Sequence, residues 1–152
     1  MWLKIIGFLF LNFGALALGG LFAGSGAGSN WYAELNKAPW TPPGWVFGFA
    51  WTTIMLCFSV YMATLYTKTK SVKTIIILYA IQWMLNVAWN PVFCYFHKAN
   101  IGLILIVCLT ILVAYFLFNF RGDLKAYSIL ILPYFIWLCI ATSLNAYISL
   151  MN

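Results

Sequence analysis

The stretch WYAELNKAPWTPPGWVFGFAW, residues 31–51, interrupts an otherwise apolar sequence and carries four of the eight tryptophans in the chain. Its three prolines, Pro39, Pro42 and Pro43, fix the backbone φ angle and remove amide donors, so the connection is stiff. Thr41 is predicted to cap the helix that follows, with Pro42 at the first helical position. We therefore expect a rigid, aromatic loop that covers a cavity held open by flanking helices.

The sequence on both sides of this loop is too apolar for a soluble protein. Of the 152 residues, 65% are hydrophobic and 7% are charged, whereas soluble domains carry about 25% charged residues. Uncharged runs of about 20 residues match the thickness of a hydrocarbon core, and their continuity favours helices over a β-barrel. We predict an all-α integral membrane protein, residues 1–152 forming a single transmembrane domain with spans at about 5–25, 44–67, 74–96, 101–120 and 126–149.

The first predicted span also resembles a cleaved secretory signal, because Lys4 precedes it and small residues follow it. Its apolar region is longer than the roughly 7–15 residues of such signals, which favours a retained helix. Gly20 and Gly24 have the GxxxG spacing that lets another backbone approach closely. That motif is weak evidence by itself, because glycine is common in membrane helices.

Basic residues are unequally divided between the two ends of the predicted spans. Five spans place the N-terminus and the second and fourth loops together, with six lysines and arginines, against Lys37 and Lys98 at the other end. The positive-inside rule then predicts that the N-terminus lies on the inner side of the cell membrane and the loop 31–43 on the outer side. The net charge of +6 is accordingly read as an orientation signal rather than a nucleic-acid surface.

Residues for classical catalysis or metal binding are scarce. Glu34 and Asp123 are the only carboxylates, and the predicted topology separates them, which excludes an acid/base pair. His97 is the only histidine, and a lone interfacial histidine is more typical of a solvated or capping residue than of a haem ligand. The four cysteines lie far apart in apolar runs, as expected for packing rather than metal binding. No predicted span contains a charged residue, which argues against ion-driven transport.

Amides are the main polar groups within the spans. Gln82, Asn86 and Asn90 recur every four residues and so lie along one helical face. They either form interhelical hydrogen bonds, at about 0.6–2 kcal/mol each, or orient a polar group of a ligand. Pro91 should kink this helix near its end.

Aromatic residues make up 20% of the chain. For Trp2, Trp31 and Trp45 an interfacial belt is a sufficient explanation. Trp51 lies two turns inside its span, and Trp137 lies beyond the kink expected at Pro133. Buried indoles that face a cavity stack on flat ligands and donate one hydrogen bond each.

Three clusters in the sequence resemble the TspO/MBR or translocator protein family, also called tryptophan-rich sensory proteins or peripheral benzodiazepine receptors, and in particular its bacterial members. They read W-Y-x-x-L-x-K-x-x-W-x-P-P-x-W from residue 31, Q-x-x-L-N-x-x-W-x-P-x-F from residue 82, and P-Y-x-x-W-L-x-x-A-T-x-L-N from residue 133. The clusters keep the family's order, Trp51 follows the first of them, and the resemblance extends over essentially the whole chain.

This resemblance implies a five-helix bundle, usually a homodimer, with a pocket under the first loop. It implies binding of porphyrins such as protoporphyrin IX, of sterols, and of isoquinoline or benzodiazepine drugs, with no required cofactor. Carried over by position, the pocket would include Tyr32, Pro42, Trp51, Asn86, Trp137, Ala141 and Leu144. We also expect Lys37, Trp40, Phe47, Gln82 and Asn90 at this site.

Two departures from the family pattern affect these expectations. The family often has proline directly after the lysine, but here Ala38 follows Lys37 and Pro39 comes next, so the loop path should differ slightly. The sterol-recognition pattern needs a basic residue after Tyr147, and none follows. Such motifs are weak in any case, but the absence lowers the expected affinity for sterols.

Three functions are compatible with these residues. The first is a membrane receptor or sensor that binds porphyrins and related flat ligands, with Lys37 pairing with a propionate. The second is light- and oxygen-dependent breakdown of protoporphyrin IX, with Trp51 and Trp137 as the candidate catalytic residues and the protein supplying position. The third is a transporter or carrier of porphyrin or sterol, although inverted repeats are not evident. A scaffold acting through partner proteins would leave no recognisable sequence pattern.

Overall fold

A computed structural model describes residues 1–24 and 26–152, apart from the side chain of Ala27, and this part of the chain is helical with no strand. Five helical segments in it are long and apolar enough to cross a membrane: Trp2–Ala23, Gly44–Lys68, Val72–Tyr95, Ala99–Asn119 and Arg121–Met151. The predicted fold class and the number of spans are confirmed. The segment that resembled a secretory signal packs as the first helix of the bundle.

The helices are α1 (Trp2–Ala23), α2 (Asn30–Glu34), α3 (Gly44–Lys68), α4 (Val72–Asn90), α5 (Ala99–Asn119), α6 (Arg121–Leu124) and α7 (Leu132–Met151), with 3₁₀ segments at Gly26–Gly28 and Lys125–Ile131. Helix α1 packs against α3 and α4, α5 packs against α4 and α7, and α3 packs against α7. The short helix α2 lies in the loop between the first two spans.

Aromatic side chains fill the half of the bundle next to the second and fourth loops. Phe58, Tyr61, Phe116 and Tyr134 are fully buried there. The Phe58 ring meets Tyr134 edge-on at a centroid distance of 5.1 Å, and the Tyr61 hydroxyl donates to the Phe116 carbonyl at 2.8 Å. The cavities described below lie in the other half, next to the first loop.

Buried polar side chains connect the helices through hydrogen bonds. The Asn12 amide of α1 donates to the Ser59 hydroxyl at 2.8 Å and accepts from the Tyr79 hydroxyl at 2.7 Å. The Gln82 amide donates to the Tyr134 hydroxyl at 2.7 Å. Each such bond contributes about 0.6–2 kcal/mol in a membrane. Of the two roles considered for Gln82, the structure shows the interhelical one.

The prediction that Thr41 caps the second span is wrong. Helix α3 begins at Gly44, its N-cap position is Pro43, and the Thr41 hydroxyl instead donates to the Ala38 carbonyl at 2.7 Å. A residue before proline is pushed out of the α region. Because Pro42 precedes Pro43, the helix starts only after the second proline.

Two further prolines mark changes of helix type. Helix α4 ends at Asn90 and continues as a π-helical turn, Pro91–Tyr95, which agrees with the predicted distortion at Pro91. Pro133 lies in the first turn of α7 rather than within a continuous helix. The last predicted span is thus divided into a 3₁₀ segment and an α-helix. Pro133 lacks an amide hydrogen, but in the first turn of a helix no intrahelical bond needs one.

The close contact on α1 is made at Gly19, one residue before the predicted motif, and the group that approaches it is the Asn90 side chain rather than another backbone. A β-carbon built on Gly19 would lie 2.5 Å from Nδ2 of Asn90, whereas a β-carbon on Gly20 meets no atom of the described residues within 4 Å. Within this chain, Gly20 is therefore not a packing contact. Any use of Gly20 and Gly24 against another chain stays a prediction.

Candidate functional site

The loop between the first two spans forms a lid with a short helix of its own. The Ser29 hydroxyl caps α2 by accepting from the Tyr32 backbone amide at 3.2 Å. At the other end, Nζ of Lys37 donates to the carbonyls of Tyr32 (3.1 Å) and Ala33 (3.3 Å) and lies 4.9 Å from the centroid of the Tyr32 ring. Lys37 therefore stabilises the lid itself.

Two sets of polar contacts fasten the lid to α7. The backbone amide of Asn36 donates to Oδ1 of Asn152 at 2.9 Å, and Nδ2 of Asn152 donates back to the Asn36 carbonyl at 3.2 Å. The Trp40 indole donates to the Ser143 hydroxyl at 3.1 Å and meets the Tyr147 ring edge-on at 5.6 Å. We call these contacts the two latches.

A row of rings joins the lid to the end of the third span. Trp31 stacks on His97 with centroids 4.1 Å apart and meets Phe93 edge-on at 5.5 Å. Phe93 in turn stacks on Trp89 at 4.8 Å, and the Trp89 indole donates to Oδ1 of Asn145 at 3.0 Å. The rings add a further contact between the lid and the bundle.

Beneath the lid lies a cavity of about 230 Å³. Most of its lining is apolar or aromatic: Ala23, Gly26, Tyr32, Phe47, Trp51, Trp89, Asn90, Phe93, Cys94, Ala141, Leu144, Asn145 and Ile148. Deeper in the bundle a second space of about 40 Å³ shares part of this wall and adds Asn86, Ile106, Leu109, Trp137 and Leu138. The shared residues, Phe47, Trp51, Trp89 and Ala141, form the boundary between the two spaces.

Eight of the twelve side chains expected at the site line one of these spaces. In the larger cavity are Tyr32, Phe47, Trp51, Asn90, Ala141 and Leu144, and the smaller one has Asn86 and Trp137. Trp137 is only 6% exposed and meets Phe47 edge-on at 5.3 Å.

The other four expected residues do not line either space. Lys37 caps α2 and Trp40 forms a latch, as described above. Pro42 belongs to the half-buried part of the lid, and Gln82 is 2% exposed and bonded to Tyr134. Their positions assign them to the support of the lid and the bundle.

The sequence interpretation missed several wall residues on the same helical faces as the expected ones. Trp89 and Phe93 follow Asn86 at the i+3 and i+7 positions, and Ile148 follows Leu144 at i+4. Extending each helical stripe by one turn would have found them.

The cavity offers few polar groups to a ligand. The Asn145 amide is already bonded to Trp89 and to the Ala99 carbonyl, whereas the Asn90 amide makes no side-chain hydrogen bond within residues 1–24 and 26–152. Burial raises the pKa of Tyr32 above its ordinary value, so its phenol is a neutral donor at physiological pH. Among the described residues no cluster could hold a metal ion.

Comparison with known proteins identifies the family. The model of the TspO/MBR family matches residues 7–151. A tryptophan-rich sensory protein of Cereibacter sphaeroides is 34% identical over 90% of this chain and 87% of its own length. A tryptophan-rich protein TspO of Chlorobaculum tepidum is 32% identical over 80% of this chain and 79% of its own. The translocator protein of Bos taurus is 30% identical over 95% and 87% of the two chains. The chain therefore belongs to the TspO/MBR family of membrane proteins.

Proposed function

We propose that this chain is a membrane receptor or sensor that binds porphyrins, protoporphyrin IX in particular, and related flat hydrophobic ligands such as isoquinoline or benzodiazepine drugs. The observation that supports this proposal is the cavity under the lid, walled by Trp51, Trp89 and Phe93 and lined by the Asn90 amide, which makes no side-chain hydrogen bond to the residues that the structure describes. Stacking on indole rings together with one or two oriented hydrogen bonds suits a flat apolar molecule with a few polar atoms.

The size of the cavity implies that the lid moves when a large ligand binds. Its volume of about 230 Å³ is below the roughly 300–1,000 Å³ typical of ligand sites. A macrocycle therefore needs additional space, and the lid is attached to α7 mainly through the two latches. Each neutral hydrogen bond in a latch contributes only about 0.5–1.5 kcal/mol, so opening is energetically accessible.

Fluorescence titration with protoporphyrin IX tests the proposal on the protein in lipid nanodiscs. We expect saturable quenching of tryptophan emission and weaker binding in Ala141→Leu, because the added side chain fills the boundary between the two spaces. Trp45→Phe is the matched control, since Trp45 is 71% exposed and lies outside both linings. Equal affinity in Ala141→Leu and wild type would contradict binding in this cavity.

Light-dependent breakdown of the bound porphyrin is a second candidate function. Its support is the position of Trp51 and Trp137, which line the same small space. In this reaction the porphyrin would absorb light, molecular oxygen would be the oxidant, and an adjacent indole would exchange an electron with the excited ligand. Illumination of the complex, followed by absorbance, tests it. If substitution of both tryptophans by phenylalanine leaves the product yield per bound porphyrin unchanged, they have no such role.

Carriage of porphyrin or sterol within or across the membrane is the alternative to sensing, and flux into sealed vesicles would distinguish transport from binding.

We further propose that the lid faces outward, because six of the eight basic residues lie at the opposite end of the bundle. A homodimer is also proposed, from the family resemblance alone. Labelling of a cysteine introduced at exposed Asn36, in intact cells, tests the orientation.

A further inference from the structure

An open depression of about 510 Å³ lies beside the lid, at the same end of the bundle. Its wall includes Trp31, His97, Lys98, Asn100 and Ile148. The depression adjoins the cavity under the lid, because Ile148 lines both. Trp31 stands between them, with its ring stacked on His97 and its edge against Phe93 of the cavity wall.

One lysine, Lys98, lies in the wall of this depression. Lys98 and Lys37 are the only lysines or arginines at this end of the bundle, and Lys37 donates to two carbonyls of the lid. The Lys98 ammonium is exposed and makes no hydrogen bond or ion pair with any residue that the structure describes. Glu34, the only acidic residue at this end, is not part of the wall.

The rest of the wall suits the part of a ligand at which a polar group joins an apolar one. Asn100 and Ser149 provide neutral polar side chains, whereas Ile101 and Ile148 provide an apolar surface on the side that leads to the cavity. A carboxylate in this depression would meet the Lys98 ammonium, and an apolar ring system attached to it would point towards the lid cavity.

We propose that the depression is the subsite for the acidic group of an amphipathic ligand, in which Lys98 pairs with a carboxylate while the ring system occupies the cavity under the lid. The proposal rests on the proposed function. It replaces Lys37, the residue expected from the sequence, by Lys98. A phosphate of an anionic lipid presents the same kind of oxygen anion, and the experiment separates the two sources.

The test compares protoporphyrin IX, a dicarboxylic acid, with its dimethyl ester on the full chain in nanodiscs of zwitterionic phosphatidylcholine. The variants are Lys98→Gln, Lys37→Gln and, as a control with the same loss of charge at the opposite end of the bundle, Lys73→Gln. We expect Lys98→Gln to weaken binding of the acid about two- to fivefold, the effect of one exposed ion pair, and to leave binding of the ester unchanged. The ratio of acid to ester affinity in the other two variants should equal that of wild type.

Salt gives a second measurement that a merely structural effect would not change. Binding of the acid to wild type should weaken as ionic strength rises, because an exposed pair is screened, and Lys98→Gln should remove most of this dependence. An unchanged acid-to-ester ratio in Lys98→Gln, or a change in Lys37→Gln instead, would overturn the subsite. Equal affinity of wild type for acid and ester, together with Lys98-dependent retention of phosphatidylglycerol, would assign the depression to lipid and overturn it as well. If wild type binds neither porphyrin, the proposed function itself fails.

Discussion

Gly19 packs tightly against the side chain of Asn90. Adding one methyl group at Gly19 therefore tests how the Asn90 amide is positioned in the cavity. A β-carbon at Gly19 would lie 2.5 Å from Nδ2 and 3.2 Å from Cγ of Asn90, whereas ordinary contact begins at 3.4 Å. In Gly19→Ala the amide must therefore rotate or shift by about 1 Å. Gly20→Ala is the matched control on the same helix, because a β-carbon there meets none of the described atoms within 4 Å.

The two variants should differ in stability by the energy of this contact. Replacing glycine by alanine within a helix stabilises it by about 0.5–1 kcal/mol, and both variants gain this term. Overpacking costs about 1–3 kcal/mol, and only Gly19→Ala incurs it, near the lower end, because the closest atom is the end of the Asn90 side chain, which lines the cavity. We therefore expect Gly20→Ala to be neutral or stabilising, and Gly19→Ala to be less stable than Gly20→Ala by about 1 kcal/mol in thermal unfolding in detergent.

Ligand binding should respond to the same substitution. If the Asn90 amide bonds a polar atom of the ligand, its displacement removes about 0.5–1.5 kcal/mol, which is about a two- to twelvefold increase in Kd for protoporphyrin IX. The double variant Gly19→Ala, Asn90→Ala should recover the lost stability but not the affinity, because the Asn90 β-carbon already lies at an ordinary 3.7 Å. Equal affinities in Gly19→Ala and Gly20→Ala would refute the role of Asn90.

Three other predictions concern the lid and the core. Trp40→Phe keeps a ring on the lid but removes the indole donor bonded to α7, so ligand association in stopped flow should accelerate about two- to tenfold, with Trp45→Phe as the unaffected control. Gln82→Leu leaves the buried Tyr134 hydroxyl without its partner and should lower the free energy of unfolding by about 1–3 kcal/mol, while the affinity for ligand stays within twofold. Burial raises the pKa of Tyr32 from 10.0, so the folded lid favours the neutral phenol. The stability of the lid should therefore be constant below pH 10 and fall above it, and amide hydrogen exchange of the lid, corrected for the intrinsic exchange rate, measures this change.

The spans could be predicted because charged residues are confined to the loops and the ends of the helices, and the uncharged runs between them have the length of a bilayer. The errors at their ends come from local backbone effects. At the start of α3, the rule that places proline at the first helical position competes with the restriction that one proline imposes on the residue before it. Two consecutive prolines, Pro42 and Pro43, make the second effect decisive, and the helix begins at Gly44.

The candidate site could be predicted in part because its walls are helical faces with a fixed period. The Asn86 and Asn90 positions on α4 and the Ala141 and Leu144 positions on α7 follow from that period. The lid has no such regularity. Helix α2 is only five residues long and has no apolar stripe, so the capping contacts of Lys37 could not be anticipated from spacing. Ser29, a suitable N-cap residue, was the one local signal.

Trp51 connects the packed half of the bundle with the open half, and this position limits how a ligand can enter. On one side its ring meets the fully buried Tyr134 edge-on at 6.1 Å, and on the other it lines both spaces. Enlarging the cavity towards the packed half would disrupt close-packed rings at several kcal/mol, whereas moving the lid breaks a few hydrogen bonds and the more exposed ring contacts of Trp31 and Trp40. A large ligand should therefore make room by displacing the lid, and substitutions in the latches should change the rate of binding more than the packing of the core.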